Sequence, residues 1–485
     1  MCSTYNASMQ SRRVSILAIL FFGFLWPSSC AEPTRKPSSP VVIVGIDGLE
    51  PTLVAELIAA GRMPNLASFV KTGVIGRLAS MIPTYSPVIW TSIATGQHPS
   101  EHGITFFHDA ENRPYTSNTR KVPALWNIVS DAGLGVNCVG WWNTWPAEPI
   151  NGYMLSSYAA QAQAQLIWKP GVWENLEDQT WPNDLWKEIK SDMVFVSDAT
   201  KVRDLLWDVF PAPHDQDSAT PEFDLDPVTQ KSVTDLGWTF AADLSSAAVA
   251  VHLQEQYATD LSLVYLAMTD VAGHRFWNYH EPTAYSYELN EPAKSDFAEY
   301  VNLSYVETDR MLGELLATLP ANANVLVLSD HGMHPDPIAL DDPESGTSGH
   351  HREGRAGIFA AKGPLVQSLG NLLEDPTRGE LGHVLEVAPL VLHMLSIPVP
   401  EHWPALAGSM RLEQVLDESW RRTHPLEKTA NVDAKFRPAT PAKIPFAKVD
   451  QDFMESFSGI GYILGNDARE ESESSIEDQK KTEVE

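Results

Sequence analysis

An α/β fold, with a mostly parallel central sheet flanked by helices on both faces, is predicted by three features of the sequence. Short apolar runs such as "VVIVGID", "LSLVYLAM" and "NVLVLSD" read as strands buried on both sides. Segments with helical spacing alternate with them, which is the pattern of strand–helix–strand units. Three apolar runs also lead into an aspartate: Asp47, Asp270 and Asp330. In open parallel sheets, ligands gather outside the carboxyl ends of the strands.

In chain order, "VVIVGID" is the first strand, and "PTLVAELIAAGRMPNLASFVKTG" follows with helical spacing and a stop at Gly73. "SPVIWTSIAT" opens the next helix, with Ser86 expected as the N-cap and Pro87 at the first helical position. "HGITFFHDAENRPYTSN" is a polar loop, "ALWNIVSDAG" a helix, and "LGVNCVGWWNTW" a strand running into a loop. From Met154 to about Thr234 the pattern degrades, which suggests an insertion over the sheet. Order returns with "LSSAAVAVHLQEQYATD" as a helix, "LSLVYLAM" as a strand, "YVNLSYVETDRMLGELLATL" as a helix and "NVLVLSD" as a strand. The expected organisation is a signal peptide over 1–31, a Pro/Ser linker over 32–40 and a main domain over 41–415, with the insertion at about 154–240. A C-terminal extension over 416–485 ends in the solvated tail "DAREESESSIEDQKKTEVE".

Composition narrows the function. The 485 residues are 43% hydrophobic, enough for one large α/β domain or two ordinary ones. The net charge of −29 comes with no basic stripe, which argues against a nucleic-acid scaffold. An acidic surface still admits an anionic substrate, because bound cations can dominate the local field. At the N-terminus, Arg12 and Arg13 precede "VSILAILFFGFLW" and the small residues of "PSSCA", the anatomy of an export signal. That apolar run falls short of the roughly 20 residues of a membrane span. The expectation is an exported protein, periplasmic or secreted, without a transmembrane span after cleavage. Cys30 is a candidate lipid anchor, although Pro27 stands where lipoprotein signals carry Leu. Of Cys2, Cys30 and Cys138, only Cys138 lies beyond the signal, so an internal disulfide, thiolate catalysis and a Cys-rich metal site are excluded.

Histidines accompany the strand-end acids. His274 follows Asp270 by four residues in "DVAGHRFW", and His331 follows Asp330 directly. A further pair, His350 and His351, lies in "SGHHREGRAGIF". Taken singly, a strand-end Asp is commonly a turn residue and a histidine a surface or core residue. Together, neutral imidazoles and carboxylates suit zinc and related divalent metals, and six of them suffice for two ions with a position left open on each. His98 and His102 flank a turn and read as structural. Trp141, Trp142 and Trp145 read as packing, and Cys138 as a small buried hydrophobe.

The segments "VVIVGIDGL", "PTYSPVIWTSIATGQHPSEHGI", "MTDVAGHRFW", "VLVLSDHGM" and "SGHHREGRAGIFAAKGP" resemble the type I phosphodiesterase/nucleotide pyrophosphatase group of the alkaline phosphatase superfamily. "VLEVAPLVLHMLSIPVPEHW" is similar to that family's closing segment, so the resemblance spans about 41–415 and is weak in the insertion. It implies an alkaline-phosphatase-like fold and a phosphoesterase acting on a small-molecule phosphate ester with two divalent metal ions, Zn2+ the expected identity. Ser86 takes the place of the family's nucleophile, with Thr84 as the fallback. Asp270, His274 and His351 match the ligands of one metal, and Asp47, Asp330 and His331 those of the other. His350 is the alternative to His351. Nucleotide pyrophosphatases usually carry an Asn shortly after the His-Gly-Ile motif, where this chain has Phe107. The Cys/Ser-any-Pro-any-Arg signature of sulfatases is absent after Ser86. The rival functions are a phosphomonoesterase of the same superfamily and a non-catalytic metal-binding protein.

Overall fold

Val41–Ile46 (β1) carries no polar side chain and is buried at every position. A strand with those properties belongs in the middle of a sheet covered on both faces. The computed structural model describes residues 39–109, 115–157, 159, 177–196, 198–213, 226–342 and 346–430. The expected signal peptide, Cys30 and residues 431–485 of the extension lie outside them.

The other strands of the main sheet are β2 (Gly73–Ala79), β3 (Val136–Val139), β4 (Gly152–Leu155), β5 (Thr180–Trp181), β6 (Leu261–Leu266) and β7 (Asn324–Leu328). A short hairpin, β8 (His334–Pro335) and β9 (Gly349–His350), stands apart, followed by β10 (Gly357–Lys362), β11 (Gly370–Asn371) and β12 (Glu380–His383). The sheet order is β11-β2-β10-β7-β1-β6-β3-β4-β5, with β12 paired to β2. β7, β1, β6, β3 and β4 run parallel, whereas β10 and β5 are antiparallel to their neighbours. A mostly parallel sheet is therefore present, as the apolar runs predict.

Alternation along the central strands sends side chains into two separate cores. Val41, Ile43, Leu326, Leu328, Leu263 and Tyr265 enter one; Val42, Val44, Val325, Val327, Val264 and Leu266 enter the other. The first core is covered by the helices Ser86–Thr95, Leu125–Asp131 and Val387–Met394, and the second by Pro51–Ala59, Pro227–Gln256, Met268–His280 and Tyr300–Thr318. Both faces are helical, as expected.

Local differences from the sequence expectations have simple causes. The helical run after β1 is two helices, Pro51–Ala59 and Pro64–Thr72, because Pro64 starts a new one; the second stops at Gly73 as expected, and Gly73 also opens β2. Ser86 is not the N-cap. Tyr85 holds that position in an extended conformation, and its carbonyl accepts the Val88 and Ile89 N–H groups, so Pro87 is the second helical residue. Met154 and Leu155 lie in β4, and the helix expected from "LSSAAVAVHLQEQYATD" already begins at Pro227, capped by Asp226. Among the described residues no single helix is long and apolar enough to cross a membrane.

Arg120 and Glu148 form an ion pair at 2.7 Å, with side chains 1% and 0% exposed. Glu148 also accepts the Trp126 indole N–H, which ties the Leu125–Asp131 helix to the segment after β3. Removing one partner strands a charge in the interior. Arg120→Met is expected to cost about 3–5 kcal/mol in urea unfolding. Arg62→Met, which breaks the exposed pair with Glu299, should cost about 1 kcal/mol or less.

Candidate metal centre

β1 is bonded in parallel to β6 on one side and β7 on the other, with Ile46 opposite Leu266 and Gly45 opposite Leu328. Their carboxyl ends therefore lie side by side. Asp47 is the first residue beyond β1 and Asp330 the second beyond β7. Asp270 is not at a strand end but in the first turn of the Met268–His280 helix that follows β6, and His274 is one turn along on the same face. His331 adjoins Asp330, and His351 follows β9.

Two trios of donors converge there. His331 Nε2 lies 3.2 Å from Asp47 Oδ1 and 3.4 Å from Asp330 Oδ2. His274 Nε2 lies 3.1 Å from His351 Nε2 and 3.4 Å from Asp270 Oδ1, and His351 Nε2 is 3.7 Å from the same oxygen. His331 Nε2 lies 4.0 Å from Asp270 Oδ1 and its ring stacks on that of His351 at 3.5 Å, so the two trios adjoin. Donors about 2.0–2.2 Å from one tetrahedral ion stand about 3.4 Å from each other, which matches these separations. Asp47 Oδ1, Asp330 Oδ2 and His331 Nε2 are buried and make no hydrogen bond. Three carboxylates buried to this degree need cationic partners, and the six residues fit divalent metal ions.

The surroundings aim the donors. Trp90 Nε1 donates to Asp47 Oδ2 at 2.9 Å and the Tyr265 hydroxyl donates to the same oxygen, leaving Oδ1 toward His331. His274 Nδ1–H donates to the Gly349 carbonyl at 2.7 Å, so its Nε2 lone pair faces the trio. Two glycines make the close approaches possible. A Cβ on Gly45 would lie 2.6 Å from the Trp90 ring. Gly48, at φ +72°, would place one 2.8 Å from the Asp270 backbone.

The electrostatics follow from crowding. Burial pulls His331 down, but Asp330, Asp47 and Asp270 overcome it and hold the imidazole up at about 10. Burial raises Asp47, yet the imidazole of His331 3.2 Å away, helped by the Tyr265 hydroxyl, leaves it below the ordinary range. Burial and the negative charge of Asp47 push Asp330 well above that range. Burial lowers His274 to about 3, and burial with the charge of His331 takes His351 well below its ordinary value.

Ser86 is 2% exposed and opens the Ser86–Thr95 helix. Because the Tyr85 carbonyl serves the first-turn N–H groups, the Ser86 hydroxyl is not consumed as a cap. Trp90 is one helical turn further on, on the same face, and its indole reaches Asp47. Asn143 Nδ2 donates to the Pro87 carbonyl and to Thr91 Oγ1, fixing the helix start. Thr84 is buried but precedes the helix.

The other sequence-derived candidates among the described residues can be located. His351 joins His274 and Asp270, whereas His350 turns away to His334 across the β8–β9 hairpin. His102, lowered to about 3 by burial, contacts Ser92 Oγ and accepts the Ile104 N–H, a structural role. Trp141, Trp142 and Trp145 are buried packing residues, and Cys138 is buried and free. Phe107 is buried against Tyr85 and Trp142. Sequence reasoning missed Trp90, Tyr265 and Asp243. Tyr265 carries a faint signal as the polar-tipped residue in an otherwise apolar strand run. Asp243 sits within a helix, and its partners are backbone groups that leave no mark in the sequence.

The family described as type I phosphodiesterase / nucleotide pyrophosphatase matches residues 41–367. Similar solved structures include human ectonucleotide pyrophosphatase / phosphodiesterase 5, at 12% identity and a TM-score of 0.44, covering 78% of this chain and 100% of that one. Phosphonoacetate hydrolase from Sinorhizobium meliloti is similar at 17% identity and a TM-score of 0.39, covering 64% and 60% of the two chains. A 2-O GAG sulfatase is similar at 13% identity and a TM-score of 0.46, covering 79% and 75%.

Asp243, on the Pro227–Gln256 helix, accepts the Ala267 and Met268 N–H groups at 2.8–3.1 Å. It thereby caps the Met268–His280 helix, whose own N-cap residue, Ala267, provides no side-chain bond. Burial, with the negative charge of Asp47 adding to it and those N–H groups opposing, pushes its carboxyl up to about 7. An unfolded Asp releases its proton near 4, so between about 4 and 7 the folded state binds more protons. This group's contribution is full below that window and is lost as pH rises through it. Asp243→Asn should flatten the fall of stability across the window by up to about 1.4 kcal/mol per pH unit relative to wild type. Urea unfolding of both proteins in the same metal-free buffers measures the difference.

Proposed function

The chain belongs to the type I phosphodiesterase / nucleotide pyrophosphatase family, hydrolases acting on phosphoric ester bonds, and on that premise we propose an exported phosphoesterase that cleaves phosphodiester or pyrophosphate bonds through a phosphoseryl intermediate on Ser86. The observation that carries this proposal is the convergence of two donor trios at the sheet edge to which Trp90 anchors the Ser86 helix.

Asp47, Asp330 and His331 would hold one divalent ion, and Asp270, His274 and His351 the other, with Zn2+ best suited to such mixed donors. Bound there, the ions supply the positive charge that lowers the serine pKa and steadies the attacking and leaving oxygens of an in-line displacement. Ser86 Oγ forms a bond to phosphorus while the bond to the leaving oxygen breaks, and that oxygen departs with the electron pair. Water then attacks phosphorus, displaces Ser86 Oγ and restores the hydroxyl. The positive end of the Ser86–Thr95 helix dipole favours the phosphoryl charge throughout. Tyr85, Phe106, Phe107 and Trp142 pack in mutual edge contacts beside the helix start. They give that side an apolar wall and, at Phe107, no amide donor. The substrate class is therefore a small phosphate ester, without commitment to a nucleotide. Export rests on the Arg12–Ala31 segment, with release into the periplasm or medium, or anchoring through Cys30.

Ser86→Ala is expected to lower hydrolysis of an aryl phosphodiester by a factor on the order of 10³ or more while leaving the thermal midpoint unchanged. Rates on aryl diester, monoester and sulfate substrates should rank in that order. A monoester preference would establish the phosphomonoesterase, and a sulfate preference would overturn the class. Chelation should abolish turnover, and about two equivalents of Zn2+ should restore it.

A further inference from the structure

We infer that His334, His350 and Glu353 form a further divalent-metal site, of the His₂Glu kind that zinc takes, separate from the donors assigned to catalysis. The β8–β9 hairpin sets His334 directly opposite His350, with ring centroids 4.0 Å apart. His334 Nε2 lies 3.5 Å from Glu353 Oε2, and one donor atom from each of the three residues falls within 4.8 Å of the others. The 3.5 Å between His334 and Glu353 fits two donors on one tetrahedral ion, which stand about 3.4 Å apart.

Two independent observations point to a ligand. His334 and His350 are only 6% and 3% exposed. Both ring nitrogens of His350, and Nε2 of His334, make no hydrogen bond. A buried imidazole left with no partner on either nitrogen is costly, and a bound ion is a standard resolution. The tautomer is already set for coordination. His334 Nδ1–H donates to the Pro335 carbonyl at 3.0 Å, which places the lone pair on Nε2. Glu353 is 62% exposed at its side chain, so the site has an entry path from solvent. Arg352 and Arg355 are the nearby opposing charges, and Arg352 lies 3.8 Å from Asp336.

The site has a structural consequence for its neighbours. His350 stands between Gly349, whose carbonyl orients His274, and His351, which meets His274 Nε2. An ion joining His350 to His334 and Glu353 would brace the segment that presents both histidines.

Equilibrium dialysis of the full chain against Zn2+, followed by metal analysis, tests the site. His334→Gln/Glu353→Gln should hold one zinc equivalent fewer than wild type, with the circular dichroism spectrum unchanged. Equal zinc content in the two proteins overturns the site. Should the double variant fail to fold, Glu353→Gln alone should weaken one equivalent by about tenfold or more, and unchanged affinity overturns it. Each comparison is a difference against wild type. It is therefore independent of activity and of how many equivalents the Asp47 and Asp270 trios hold.

Discussion

Three carboxylates, Asp47, Asp270 and Asp330, are 1%, 4% and 0% exposed at one edge of the sheet, and the surrounding architecture answers to that crowding of negative charge. Like charges in a low-dielectric interior persist only when something positive or a proton meets them. His331 sits among them with its imidazole raised, Asp330 is held toward its neutral form, and Asp47 is fixed by an indole and a phenol. Even Asp243, further out, feels Asp47. Divalent cations satisfy the same constraint more completely, because each brings two positive charges to donors already spaced for it.

The central sheet and the gathering of the six candidate ligands at one place were largely legible in the sequence. "VVIVGID", "LSLVYLAM" and "NVLVLSD" announce strands buried on both sides; Asp47 and Asp330 travel with their strands to one edge, and Asp270 reaches it from the first turn of the helix after its strand. His274 is legible because a spacing of four on a helix is a statement about one face. The choice of His351 over His350 was not legible in composition or periodicity and rests on the family's Gly-any-His pattern; the structure sets His350, in β9, against His334 and His351, just beyond it, against His274. Nor was the capping of the Ser86 helix. Ser is a preferred cap by type, but here the backbone of Tyr85 does that work, and no propensity scale registers it. Trp90 and Tyr265 look like core aromatics in the sequence, and they are; their polar tips matter only because Asp47 happens to lie within reach.

The glycines of "VVIVGIDGL" show how steric room and charge are linked. Without a side chain at Gly45 the Trp90 ring lies directly on β1, close enough for its N–H to meet Asp47. Without one at Gly48 the chain turns tightly enough for the Asp270 backbone to come alongside.

The position of β1 also bears on how the molecule comes into being. It is the middle strand, yet both of its neighbours, β6 and β7, are encoded far downstream. A ribosome delivers this oily ribbon long before either flank exists, and contacts so distant along the chain form slowly. Until Leu328 has emerged, Val41–Ile46 remains a sticky orphan prone to clumping, so the nascent chain should depend on a chaperone's shelter during its synthesis.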